Sequence, residues 1–288
     1  MSAILTCTDG CSYAPSLYQF TAWAASRLAA DVEVLNVYPP APPFYLPPVN
    51  FMGDPAMGSA ALALPELTAI SESQEIEARK ASLSLLQEAA GALRHAGVQD
   101  PTLTVMSGSL PEVLASWEKP IDLLLLGKRG ESTGHAHGPL GSQLETVIRQ
   151  STAPVLVASH DYHPIRRFLI SFDDSPSAHA ALRYAVKSPL LRGLPCDLVM
   201  AGDASEENRS ALDSARTFLQ TGGFEVQEFL MQGDPETISA WEISANQIDL
   251  LVMGAYSHSR FLQFFIGSTT SEMIRRCRVP VLVMSGKM

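Results

Sequence analysis

The chain has 288 residues, 46% hydrophobic and 17% charged, which is apolar material for two domain cores rather than one. Its formal charge of −10 argues against a nucleic-acid surface, which needs a dense basic patch, but leaves room for a small phosphate ligand held by backbone N–H groups. Apolar runs such as the leucines at 123–126 are far too short for a membrane span. The opening MSAILTCTDG has neither a basic region nor an apolar export core, and Cys7, Cys11, Cys196 and Cys277 follow no metal-ligand or C-x-x-C spacing. A cytoplasmic protein with reduced thiols, no membrane and no nucleic-acid partner is the expectation.

In chain order, AILTCT is a short apolar strand, and residues 16–30 place Leu17, Phe20, Ala24 and Leu28 on one helical stripe. VEVLNVY is the second strand. The insert that follows, at about 39–67, is dense in proline, which favours extended or irregular structure over helix. A long helix then carries Ile76, Leu83, Leu86, Ala90 and Leu93 at spacings of three, four and seven. TLTVMSG, IDLLLLG and PVLVAS give three further strands, separated by a short helix at 111–117 and another at 142–150. HDYHPIRR, at 160–167, is a polar linker.

The same series then starts again. ILTCTDGCS returns as FLISFDDSP, VMSGSLPEVLASW as LMQGDPETISAW, PIDLLLLGKRG as QIDLLVMGAYS, and TAPVLVAS as RVPVLVMS. Four matched blocks in one order indicate a duplicated domain, with boundaries expected at 1–160 and 161–288. DLVMAG is the second strand of the second copy, and Leu212, Ala215 and Leu219 mark its helix. Near-continuous apolar strands alternating with helices predict an α/β fold of two tandem domains. Each is a five-stranded parallel sheet of order 3-2-1-4-5 with helices on both faces.

That order makes strands one and four neighbours at the switch point, where ligands of such sheets bind. Asp9 meets Gly127 in the first copy, and Asp173 meets Gly254 in the second. Gly254 frees the strand end for a turn or a close approach, and Gly267-Ser268 opens a helix whose first N–H groups suit phosphate oxygens. Ser268, Thr269 and Thr270 offer hydroxyls, and an ionised aspartate suits a ribose hydroxyl or an adenine amino group. Tight strand-to-helix connections account for the same glycines without a ligand. Ser142-x-x-Glu145 is a capping box, and each aspartate can cap the approach to its helix.

Gly254-x2-Ser257-x9-Gly267-Ser268 resembles the nucleotide loop of the universal stress protein family, with Ser257 where that motif has its second glycine. The first copy has Gly127-x2-Gly130, then ten residues rather than nine before Gly141-Ser142. Asp173 in SFDDSPSA and the final VPVLVMS resemble that family too, and the likeness spans the chain twice. It implies flavodoxin-like (adenine-nucleotide alpha-hydrolase-like) domains and a stress-response regulator. It also implies ATP or another adenine nucleotide, with or without Mg, as ligand, at Asp173, Gly254, Ser257, Gly267, Ser268 and Thr269. Asp9, Gly127, Gly130, Gly141 and Ser142 form the weaker copy. Single-domain members dimerise about the last strand, so PVLVAS and PVLVMS are expected to pair the copies as an intrachain pseudo-dimer, with a homodimer as a further step.

Other residues carry less. Lys128 and Arg129 could meet phosphates or stay solvated. His135 and His137 lack a third metal ligand. Cys11 reads as an ordinary loop thiol, and Trp117 and Trp241 as helix packing residues. No Walker A lysine, G-x-G-x-x-G after a strand or H-E-x-x-H is present, so no catalyst is visible. Two rivals remain: an interaction module with an unidentified protein partner and decayed nucleotide sites, and a slow ATPase using His258 or a metal-bound water.

Overall fold

The computed structural model describes residues 2–40, 57–128, 142–255 and 268–285. The first unit runs β1 (Ala3–Cys7), α1 (Ala14–Leu28), β2 (Asp31–Tyr38), α2 (Met57–His95), β3 (Thr102–Ser107), α3 (Leu110–Ala115), β4 (Leu123–Gly127), α4 (Ser142–Gln150) and β5 (Val155–Ala158). The second repeats it as β6 (Phe168–Phe172), α5 (Pro176–Lys187), β7 (Cys196–Ala201), α6 (Glu206–Thr221), β8 (Val226–Met231), α7 (Pro235–Ala245), β9 (Leu250–Gly254), α8 (Ser268–Arg276) and β10 (Val281–Met284).

One ten-stranded sheet results, in the order β3-β2-β1-β4-β5-β10-β9-β6-β7-β8. Within each unit every pairing is parallel and the order is 3-2-1-4-5. The units join through the antiparallel pair β5–β10, with Val157 opposite Val281 and Leu156 opposite Leu282. These two strands are buried along their whole length, as befits strands covered on both faces. Alternation along the strands feeds two apolar layers, and each layer runs through both units. Ile4, Phe168, Ile170 and Leu282 lie on the face covered by α1, α2, α5 and α6. Leu5, Leu169, Leu251 and Val283 lie on the other.

Local signals are repeated as faithfully as the strands. Gly108 and Gly233 both sit at positive φ, at +136° and +147°, one residue before a capped helix. Ser109 Oγ donates to Glu112 at 2.7 Å ahead of α3, and Asp234 accepts from Thr237 N at 2.9 Å ahead of α7.

Three expectations need correction. Helix begins at Met57, inside the segment expected to be irregular, and continues through Pro65. From residue 57 on, Ala and Leu dominate, and the single proline removes one helical N–H rather than ending the helix. Residues 41–56 lie outside the described residues. Second, Leu86, Ala90 and Leu93 are buried but Ile76 and Leu83, on the same expected stripe, are exposed. A 39-residue helix is about 58 Å long and outruns the five- to eight-residue strands beneath it. Third, Trp117 packs against the core while Trp241 stands exposed. The polar 160–167 linker keeps its expected place and is docked through its aromatic residues and Ile165. Tyr162 meets Phe20 edge-on at 4.9 Å, His160 meets Tyr13 at 5.4 Å, and Ile165 is buried.

Candidate functional site

Strands β1 and β4 end side by side, with Cys7 opposite Leu126, so Thr8 and Asp9 emerge beside Gly127 and Lys128. In the second unit Ser171 lies opposite Met253, and Asp173 emerges beside Gly254 and Ala255. Both expected pairs are thereby brought together at the switch point.

The two aspartates do the same local job. Asp9 Oδ1 accepts from Cys11 N, and Asp173 Oδ1 from Ser175 N, both at 3.1 Å. Each side chain mimics a backbone turn and leads the chain from strand to helix. The next residue is left-handed in both units, Gly10 at φ +73° and Asp174 at +58°. Aspartate tolerates that region better than most side chains, and Asp174 is also held by His179 Nε2 at 2.8 Å. His179 in turn meets Phe172 edge-on. Sequence reading missed this Asp174–His179 pair at the mouth of the second site. A five-residue spacing across a helix start was its only signal.

Gly254 has a packing reason. A Cβ there would lie 2.8 Å from the carbonyl carbon and the Cβ of Ser177, in the first turn of α5. The bare strand end lets α5 close onto β9, with Ser177 against the position that a Cβ would take. Above it, Thr270 Oγ1 donates to Ala255 O at 3.2 Å, while Ala255 N donates to Met284 O at 2.8 Å. The first turn of α8 is thus fixed over the end of β9, as an anion site at its N–H groups requires. Ser268, Thr269 and Ser142 belong to helix first turns whose side-chain positions are not described, and Ser257, Gly267, Gly130 and Gly141 lie outside the described residues. Arg129, His135, His137 and His258 lie outside them as well.

The first unit is built differently around the same frame. Asn36 Nδ2 donates to Thr8 O at 2.7 Å, and Thr8 Oγ1 pairs with Tyr18 OH at 3.0 Å. The matched positions in the second unit, by strand register, are the buried Phe172 and Met200. Leu85 of α2 also presses on the β1 exit, where a Cβ on Gly10 would be 2.7 Å from its Cδ1. Cys11 beside it is a poor nucleophile. Burial, then its hydrogen bond to Asp9, pushes its thiol up to about 12.

Lys128, expected to meet phosphates or stay solvated, is not solvated. It is buried, and its Nζ donates to Cys277 O at 2.7 Å, in the other unit. A cleft of about 340 Å³ lies at the amino ends of β1 and β4, between Ser2 and Asp122 of one unit and Arg183, Tyr184 and Lys187 of the other. It is remote from the strand ends that carry the motif. No cluster of three metal-ligating side chains occurs among the described residues. Nor does any described helix have the length and apolarity to cross a membrane.

The model of the Universal stress protein family matches residues 1–159 and again 164–285. Over 285 residues the chain is 32% identical to a universal stress protein of Synechocystis sp., covering 98% of this chain and 99% of that one. The fold is similar to a universal stress protein from Archaeoglobus fulgidus, with a TM-score of 0.66 at 18% identity, covering 98% of this chain and 96% of that one. A putative universal stress protein from Pseudomonas aeruginosa gives 0.61 at 15%, with 99% and 93% covered. Two domain-length matches in tandem, a full-length relative and the repeated strand-end geometry agree: the chain belongs to the universal stress protein family.

Proposed function

We propose that the protein is a cytoplasmic stress-response regulator that binds an adenine nucleotide, ATP or a close relative with or without Mg, chiefly at the strand ends of the second unit. The observation that carries this reading is the recurrence of one arrangement at both switch points, an aspartate-led turn beside a strand-end glycine. In the second unit the first turn of α8 is also tied over it through Thr270. Phosphate oxygens would take the N–H groups at the start of α8, and the Asp173 carboxylate, an acceptor, would suit the ribose or base. Preference for the second unit rests on its nine-residue loop, its apolar Phe172 and Met200, and the pressure of Leu85 on the first. Domains of 1–160 and 161–288 form the intrachain pseudo-dimer about β5 and β10. Ligand occupancy biases their packing, and a protein partner or a second copy of the chain reads that bias; this requires different affinities for two conformations. Acid extraction of the purified protein followed by mass analysis tests the reading. An adenine nucleotide in stoichiometric amount supports it, and an empty extract from protein that also fails to take up ATP counts against it.

One observation favours a second reading, an interaction module without nucleotide. Ser177 already packs against Gly254, and both aspartates already serve their turns. The same extraction separates the two.

A further inference from the structure

Among the described residues, one tie that crosses the pseudo-twofold between the units reaches α8 and has no matched counterpart. Lys128 leaves β4 immediately after Gly127, and the residue is only 7% exposed. A buried ammonium needs partners, and here Nζ donates to Cys277 O at 2.7 Å. Cys277 caps α8, its own N–H donating to Met273 O at 2.9 Å. The cation therefore sits at the negative end of that helix and satisfies a carbonyl that the helix leaves open. The repeat aligns Lys128 with Ala255, and Cys277 with Ser151 at the end of α4. Ala255 has only a methyl group, so the second unit offers α4 no such cation. Ser151 instead closes its own turn, Oγ donating to Ala153 O at 2.7 Å.

We propose that Lys128 is an inter-unit positioning residue, by which the β4 exit of the first unit sets the placement of α8 in the second. Helix α8 is then held at its first turn by Thr270 on Ala255 and at its last by a lysine from the other half of the chain. The first unit then modulates the second unit's site rather than serving as an independent copy of it. An anion drawn to the first unit's β4 exit would compete with Cys277 O for the ammonium. It would loosen α8, and by linkage a ligand on α8 would oppose that anion equally. This consequence rests on the nucleotide reading; the tie does not.

Hydrogen exchange of the unliganded full chain tests the tie. In Lys128→Met, amides at the end of α8, residues 273–277, should exchange roughly ten- to hundredfold faster, as expected for loss of a charge-assisted bond. Those at the end of α4, residues 147–151, should keep their wild-type ratio to the core strands. Because α8 and α4 are compared within one molecule, a general loss of stability does not imitate the effect. Should the Met variant not fold, the same ratio is read in Lys128→Gln. Unchanged α8 protection, or equal loss in α4 and α8, overturns the proposal. ATP titration of the same variants then tests the coupling. Weakened binding in Lys128→Met supports it, and unchanged binding with a loosened α8 refutes it. No binding by the wild type would instead refute the nucleotide reading and leave the exchange result standing.

Discussion

Gly254→Ala separates the two reasons a strand-end glycine can have, packing and ligand approach. The new Cβ would meet Ser177 Oγ and stand 2.8 Å from two further Ser177 atoms, one of them backbone. A hydroxyl can rotate away, but a carbonyl carbon in the first turn of α5 moves only with the helix. Forcing an extra carbon into such a contact costs about 1–3 kcal/mol, and the backbone partner argues for the upper part of that range. With an unfolding entropy of about 2.1 cal/mol/K per residue, a chain of this length loses about 1.7 °C per kcal/mol, so Tm should fall by about 3–5 °C. Thermal unfolding of ligand-free protein, followed by circular dichroism, reads this directly. Adding Ser177→Gly removes two of the three contacts and should restore part of the loss, giving a coupling of about 1 kcal/mol or more in a double-mutant cycle. A Gly254→Ala protein that melts with the wild type yet no longer binds nucleotide would refute the packing argument and return the glycine to the ligand.

Three other outcomes follow from the same structure. Glu242 is fully buried on α7, with Asn246 donating to Oε1; among the described residues neither its Oε2 nor the buried Asp197 Oδ2 has a hydrogen-bond partner. Burial first, then the charge of Asp197, holds the Glu242 carboxyl above its ordinary value. The native state therefore keeps this proton to higher pH than the unfolded chain, and stability is lost as pH rises from the unfolded pKa through the folded one. Glu242→Gln should raise the denaturant midpoint at pH 7, with the gain fading at pH 4 and below; a gain independent of pH would contradict this. Leu282→Ala, at a fully buried position opposite Leu156, should cost about 2–5 kcal/mol. Both apolar layers cross the β5–β10 seam, so unfolding should remain one transition by fluorescence and circular dichroism, and two resolved transitions would count against the shared core. Burial raises all four thiols, Cys7, Cys11, Cys196 and Cys277, so native protein at pH 8 should react slowly with a disulfide reagent and completely in denaturant. One fast native equivalent would show an environment other than the one described.

Much of the fold was legible because strands buried on both faces leave little choice of residue. LLLLG, LLVMG, VLVA and VLVM can only be interior strands, and their recurrence in one order sets the topology of both units at once. The β5–β10 pairing followed from the family resemblance rather than from periodicity, since nothing in VLVA names its neighbour. Periodicity also failed along α2. Ile76 and Leu83 keep the helical spacing of Leu86 and Leu93, but the sheet beneath the helix is too short to reach them. Composition misled over residues 57–64, where prolines upstream outweighed a good helical sequence.

At the site, the juxtaposition of Asp173 with Gly254 was readable, because strand order alone determines it. The destination of side chains was not. Whether Lys128 meets solvent, phosphate or a carbonyl 149 residues away depends on how two units pack, which no local pattern encodes. The role of Gly254 was hidden for the same reason, its neighbour Ser177 being brought in by the docking of α5.

The central claim is nucleotide binding at the second unit, and calorimetric titration of ligand-free, folded full-length chain with ATP and ADP tests it most directly. Saturable binding in the micromolar to millimolar range is predicted, abolished by Gly267→Val and much less affected by Gly141→Val. Silence with every adenine nucleotide, or equal loss in the two variants, would contradict it.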